Sequence, residues 1–271
     1  MTGLPSRVLI AIPLLVAAIY AAYVGGWVLA GAAIVVGILA LHEFYAMTRE
    51  YRPLIPAGFA GLAVAIAAIH LGGVQWAGVA IPGMLLLAFW LSAVSEVRQS
   101  ATAQLAVTVL GVVWIGYGLG FLVAIRDIPG PDDWGRELLL GVFLGAWISD
   151  TAAYLFGRMF GRRRLASQIS PNKTVEGFVA GLVFGFAAVF FTVYHEPAAV
   201  PLAPLHAVEL ALAVTIAAPL GDLFESYLKR DMGVKDTGTV LGGHGGVLDR
   251  IDALLLAGAA AYFVALAIGR A

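Results

Sequence analysis

Nine long apolar runs follow one another along the chain, over 8–24, 27–47, 57–73, 75–95, 102–125, 137–157, 177–195, 206–226 and 252–269. A helix needs about 20 such residues to cross the hydrocarbon core of a bilayer, with a range near 17–25. No water is available there, so backbone groups must bond within the segment, and helices are the reading for runs of this length. Strands of a membrane barrel would alternate apolar and polar residues, which these runs do not do. The third and fourth runs are the least separated: Gly72 and Gly73 make the break, with Gln75 and Trp76 close behind. Composition points the same way. Hydrophobic residues make up 61% and charged residues 12%, against about 45–50% and about 25% in soluble domains. The expected fold is an all-α, polytopic integral membrane protein of about nine transmembrane helices.

Basic residues orient that bundle. One set of loops, with the N-terminus, holds Arg7, Arg49, Arg52, Arg98, Arg158, Arg162, Arg163, Arg164, Lys173, Lys229, Arg230, Lys235 and Arg250. The other set holds only Arg126, Arg136 and Arg270. Cytoplasmic loops carry the excess of Lys and Arg, so the N-terminus is expected in the cytoplasm and the C-terminus outside. Arg7 and the apolar run after it could pass for a signal peptide, but no small-residue cleavage site and polar mature domain follow, so a retained span is expected. The outer loop around 126–137 reads as a plain turn through Pro129, Gly130 and Pro131. The two longest polar stretches, 158–176 and 227–251, both fall on the cytoplasmic side, where a soluble charged substrate would be met.

A net charge of −1 with no basic face gives no sign of nucleic-acid binding. The absence of cysteine removes disulfides, thiolate metal sites and cysteine nucleophiles. No internal repeat or linker divides the chain. It reads as one transmembrane domain over 1–271, with N-terminal helices over 1–136 and the polar, chemistry-bearing helices and loops over 137–271.

Charges inside apolar runs mark the chemistry. Asp150 sits within the sixth run, where an acid costs about 2.5–3.5 kcal/mol and needs a partner, a cavity or a job. Tyr154 and Arg158 follow at i+4 and i+8 on the same face. A contact that fixes helix packing is the plainer alternative. At the end of the eighth run, Asp222, Glu225, Ser226 and Lys229 form one helical stripe, just after Pro219 and Gly221, which could kink the helix. Two carboxylates on a stripe suit a hard divalent cation such as Mg²⁺, and Lys229 with Arg230 offers charge for phosphate. An ordinary ion pair from Glu225 to Lys229 explains the same pattern.

Five glycines between Gly238 and Gly246 free the backbone to turn N–H groups toward an anion. Neither common nucleotide fingerprint occurs there. His244 could contact a phosphate or move a proton, or be incidental. Asp249, Arg250 and Asp252 precede the ninth run, where acids are favourable at any helix N-terminus. The arginine cluster 162–164 reads equally as a contact with anionic lipid headgroups. Ser170 and Pro171 read as a helix start, with serine as N-cap and proline in the first turn.

Together these residues resemble the phosphatidate cytidylyltransferases, or CDP-diacylglycerol synthases. The resemblance rests on Ser226-Tyr227-Leu228-Lys229-Arg230, Lys235-Asp236, Gly238, Leu241-Gly242, His244-Gly245-Gly246 and Asp249-Arg250-Ile251-Asp252. Ser149-Asp150-Thr151 and the stretch from Ser170 to Gly177 extend it, with Asn172 standing where the family usually has lysine. It covers roughly 140–255; the first five runs match only as hydrophobic helices. It implies an enzyme of the inner cell membrane, facing the cytoplasm, that acts in phospholipid biosynthesis. That enzyme would join CTP and phosphatidic acid, with Mg²⁺ as cofactor and room for a second, monovalent cation. It further implies Asp222 and Asp249 as metal ligands and Ser226, Lys229, Arg230 and Lys173 on phosphate oxygens. Lys235, His244 and Arg250 would be further phosphate contacts, and Asp150, Asp236 and Asp252 orienting groups. A homodimer is implied too, although no surface of the sequence identifies itself as the interface. Two rivals are a CTP-dependent lipid kinase and a transporter using Asp150 and Asp222 for ions.

Overall fold

The structure is a computed structural model that describes residues 4–93, 100–130, 133–194, 202–238 and 245–269, with 4–11 as backbone alone. His244, Arg98, Pro131 and Arg270, all weighed above, lie outside the described residues, and Arg7 is described by its backbone alone. A helical segment meets each of the nine apolar runs. Eight of these segments are long and apolar enough to cross a membrane, and a shorter apolar stretch, Ile12–Val24, precedes them. Many large apolar side chains point away from the protein, among them Leu86, Phe89, Trp90, Val183 and Phe191. Water would not tolerate such a surface, and lipid does. The chain is an all-α, multi-pass membrane protein.

Its residues gather into two compact units, Met1–Ala124 with Val234–Arg250, and Ile125–Gly233 with Ile251–Ala271. The first unit contains α1 (Leu4–Val24), α2 (Gly26–Met47), α3 (Ile55–Gly72), α4 (Ala80–Ala93) and α5 (Ala101–Gly111). A π-helical turn, Val112–Tyr117, follows α5 and leads into α6 (Gly118–Arg126). Gly73 has φ of 84°, a conformation that glycine adopts without strain. It ends α3, and a 3₁₀ turn over Val74–Val79 leads to α4, so the glycine pair does separate the third and fourth runs. Leu41, Phe44, Tyr45, Leu62, Ile66 and Ile115 form the core. One polar knot within it is closed locally: the Tyr45 hydroxyl donates to the Thr108 carbonyl at 2.9 Å, and Thr108 Oγ1 accepts from the Leu54 amide at 2.9 Å; the buried Glu43 forms another with residues of 237–248.

The second unit is built on α7 (Trp134–Phe160), α8 (Val175–Val193), α9 (Pro204–Asp231) and the part of α10 (Leu248–Ala267) beyond Arg250. Small residues set the spacing of α7 and α8. A Cβ at Gly181 would lie 2.9 Å from the Ser149 carbonyl, and one at Gly185 would lie 2.9 Å from Ser149 Cβ. Close backbone approach through glycine is the usual packing device in lipid.

One expectation is corrected here. Ser170 and Pro171 do not start a helix; they lie in a strand. Residues Arg164–Ala166 (β1) and Ser170–Thr174 (β2) form a short antiparallel hairpin, the only strands among the described residues. Pro171 tolerates the strand because a two-stranded ribbon leaves one edge of each strand unpaired. Its carbonyl accepts from Arg164 Nη1. The N-cap of α8 is instead Thr174, whose Oγ1 accepts from the Gly177 amide at 3.2 Å. Glu176 ties the hairpin to the helix, accepting from the amides of Arg162 and Arg163 and from Arg163 Nε at 3.0–3.2 Å.

Candidate active site

In the second unit, α9 runs through Pro219 without interruption and carries the stripe Asp222, Glu225, Ser226, Lys229. Gly221 lets α10 come close: a Cβ there would lie 2.5 Å from the Asp252 carbonyl. The approach joins Asp252 to Asp222 and Glu225, with one carboxylate oxygen of each within 4.8 Å of the others. Glu225 is 1% exposed and Asp252 7%. Like charges this close repel strongly when shielded from water, and neighbouring cations offset part of that. Lys229 Nζ donates to Glu225 Oε2 at 2.6 Å, so the ion pair read as the plain alternative is present, and it is buried. Lys173 Nζ lies 2.6 Å from Asp222 Oδ2, and Ser226 Oγ donates to Asp222 Oδ1 at 3.4 Å.

Three carboxyl groups thus face two ammonium groups. One or two of these hard oxygen donors would suit Mg²⁺, which keeps water and phosphate for its other positions.

A cavity of about 690 Å³ opens beside this cluster, with Asp150, Lys173 and Asp222 in its wall. Tyr154, Arg158, Arg162 and Arg164 also line it, as do the apolar Leu165 and Phe178. Asp150, Tyr154 and Arg158 therefore share a face as their spacing predicts, and Arg158 Nη1 donates to Tyr154 Oη at 3.3 Å. The arginines and the apolar side chains of its wall suit an anionic group attached to an apolar body. Arg230 is turned toward the hairpin, where its Nε donates to the Ile169 carbonyl at 3.1 Å.

The remaining candidates lie in the first unit. Lys235, Asp236 and Arg250 are exposed. Asp249 is occupied with its own loop: Oδ2 accepts from the Gly246 amide at 2.7 Å, the Thr237 amide at 3.2 Å and Thr237 Oγ1 at 3.1 Å. Among the described residues, the carboxylates that gather with Asp222 are Glu225 and Asp252. Glu225 was legible as part of the stripe. Glu43, in α2, escaped notice altogether, although an acid inside an apolar run was the signal that singled out Asp150. Glu43 is 2% exposed and accepts from the Leu248 amide at 2.9 Å.

Carboxylates from apolar helices, with lysines and arginines from those helices and the hairpin, form a charged site in a membrane protein, and family membership makes it that of a nucleotidyltransferase. The chain belongs to the cytidylyltransferase family, whose model matches residues 5–268. It is 31% identical to the phosphatidate cytidylyltransferase of Staphylococcus haemolyticus over 85% of this chain and 87% of that protein. The Staphylococcus aureus protein of the same name is 32% identical over the same shares. The Bacillus subtilis one is 37% identical over 57% of this chain and 56% of its own length.

Proposed function

We propose that the protein transfers CMP from CTP to phosphatidic acid, giving CDP-diacylglycerol and pyrophosphate, as a Mg²⁺-dependent step of phospholipid biosynthesis. The observation that carries this reading is the carboxylate–lysine cluster set against a cavity with an arginine-lined wall. Family membership and the names of the relatives support it independently.

A phosphate oxygen of the lipid attacks the α-phosphorus of CTP; the bond to the α–β bridging oxygen breaks, and pyrophosphate leaves with the electron pair. The attacking oxygen is already anionic, so no strong base is needed, and rate comes from positioning and charge neutralisation. Asp222, with Glu225 and Asp252 around it, would hold the metal ion, which supplies neutralisation of phosphate charge. Asp249, implied by the resemblance as the second ligand, is kept as a proposed one. Lys173 and Lys229 poise the acids and offer ammonium groups to phosphate oxygens, as do Ser226 and Arg230. Lys235, His244 and Arg250 are proposed phosphate contacts. Asp150 and Asp236 orient their neighbours.

The apolar side of the cavity accepts the lipid and the arginines accept its headgroup. Nine spans, an N-terminus in the cytoplasm, a working face toward CTP in the cytoplasm of a bacterial inner membrane, and a homodimer complete the proposal. The basic-residue asymmetry supports the orientation.

The test uses purified protein in detergent with phosphatidic acid, Mg²⁺ and CTP labelled either in the cytosine ring or at the γ-phosphate. Ring label in the lipid, with pyrophosphate in the water, is the expected result. Lipid labelled only from the γ-phosphate would make the protein a kinase, and no transfer to any lipid phosphate would end the enzyme reading.

A further inference from the structure

We infer that Arg162 is the arginine of the 162–164 cluster that binds the lipid phosphate, and that Glu176 is the positioning residue that keeps it at the cavity wall. The inference deepens the reading above and rests on it, since it names which cation meets phosphatidic acid. The three arginines follow closely on the end of α7 at Phe160. A basic cluster beside a span ordinarily touches anionic headgroups without selecting any of them. Here the three have different surroundings.

Glu176 makes the difference. Its Oε2 accepts from the Arg162 amide at 3.0 Å and the Arg163 amide at 3.2 Å, and its Oε1 accepts from Arg163 Nε at 3.0 Å. The Arg163 carbonyl accepts from the Val175 amide at 2.9 Å. Arg163 is thus bound to the start of α8 by its amide, its carbonyl and its guanidinium. The cavity wall follows from this: Arg162 and Arg164 line it, and Arg163 does not. Arg164 braces the hairpin through the Pro171 carbonyl, and Arg158, in the same wall, is hydrogen-bonded to Tyr154. The Arg162 guanidinium has no hydrogen bond or ion pair among the described residues.

Glycine fixes where Arg162 emerges. Gly161 has φ of −64°, so backbone conformation does not require glycine there. Space does: a Cβ would lie 2.7 Å from Thr174 Oγ1, and one on Gly157 would lie 2.9 Å from the same oxygen. The end of α7 is therefore drawn against the start of α8, and Arg162 leaves that crossing at the cavity that Leu165 and Phe178 also line. It stands just past the end of a helix long enough to cross the membrane, the level at which lipid headgroups lie. An uncommitted guanidinium fork in a partly apolar wall matches a phosphate monoester on an acyl body. The triphosphate of CTP carries no such body.

The test compares wild type with Arg162→Gln, Arg162→Lys, Arg163→Gln, Glu176→Ala, Glu176→Gln and Glu176→Ala/Arg162→Gln. All are assayed in a neutral detergent without other anionic lipid, with phosphatidic acid and CTP varied separately. Arg162→Gln should raise KM for phosphatidic acid by about tenfold or more and leave KM for CTP within about twofold. Arg162→Lys keeps the charge but loses the fork, and should fall between. Arg163→Gln leaves both amide contacts to Glu176 in place, so either KM should change by less than about threefold. Glu176→Ala should raise the lipid KM by about three- to tenfold, and Glu176→Gln, which keeps an acceptor oxygen, should restore most of it. The double variant should lie within about twofold of Arg162→Gln alone, because a positioning residue has nothing left to position.

Equal effects of Arg162→Gln and Arg163→Gln would overturn the inference, as would an unchanged lipid KM in Arg162→Gln or a matching rise in KM for CTP. If the wild type transfers no CMP, the proposed function fails, and binding of dihexanoyl phosphatidic acid without CTP decides the inference by itself. The wild type should bind that lipid about tenfold more tightly than Arg162→Gln does, and equal affinities would overturn the assignment.

Discussion

The two units use carboxylates in opposite ways. In the second, Asp222, Glu225 and Asp252 are brought together by α9 and α10 and are met by lysine side chains, so charge faces charge. In the first, Glu43 and Asp249 accept from backbone amides and one threonine hydroxyl, so charge fixes the path of the chain. The acids of the second unit offer oxygen donors to a cation, whereas those of the first unit are anchors. Burial alone would not have told them apart, since Glu43 and Glu225 are 2% and 1% exposed. The partners do.

Removing Asp222 should break the comparison most severely. Asp222→Asn keeps the size and the hydrogen bond from Ser226 but removes the charge paired with Lys173. CMP transfer should fall about 100-fold or more, in line with losses seen when a group that neutralises transition-state charge is removed. Turnover assayed across a Mg²⁺ titration checks it. Turnover near wild type would remove Asp222 from the metal proposal.

Lys229→Met comes next and reads stability. It leaves buried Glu225 without its ammonium partner at 2.6 Å, and breaking one side of a buried pair costs about 3–5 kcal/mol. The double variant Glu225→Gln/Lys229→Met should recover much of the thermal stability in detergent without recovering activity. Full stability in Lys229→Met alone would mean that the pair contributes little to the fold.

Asp249→Asn sharpens the contrast directly. The amide oxygen can still accept from Gly246 and Thr237, so an anchor survives the change, whereas a metal ligand loses its charge. Because the resemblance implies a ligand, a loss of about 100-fold is expected with hydrogen exchange over 245–249 unchanged. A loss below about tenfold would confine Asp249 to anchoring its loop.

What the sequence reveals follows from the distance over which each signal acts. Lipid-spanning runs are a property of consecutive residues, so the helices stand within a few residues of where hydropathy puts them. The stripe from Asp222 to Lys229 is equally local, fixed by helical period. Asp252 joins it only because Gly221 lets α10 approach α9, and no spacing rule reports that. Glu43 is hidden in the same way: its partners are 194 and 205 residues away. Two of the glycines that read as freedom for a phosphate loop, Gly238 and Gly246, reflect its bulk, since a Cβ on either would meet its carboxylate. Ser170 and Pro171 misled for the converse reason. Their local helix-start signal is real, but Arg164 and Glu176 hold the segment as a ribbon, and Thr174 takes the cap.

The smallest effect should come from that cap. Thr174→Ala removes the acceptor for the Gly177 amide at 3.2 Å, and losing an N-cap costs about 1 kcal/mol. Thr174→Ser keeps the oxygen and should restore most of the stability. The change also touches function, because Lys173 is the preceding residue and its ammonium faces Asp222. A frayed first turn of α8 gives Lys173 more positions to explore. Turnover in Thr174→Ala should therefore fall by about two- to fivefold, far less than in Asp222→Asn, since the lysine itself is retained. If Thr174→Ala lowers the melting temperature and leaves turnover untouched, the hairpin only supports α8, and Lys173 holds its place through the ion pair alone.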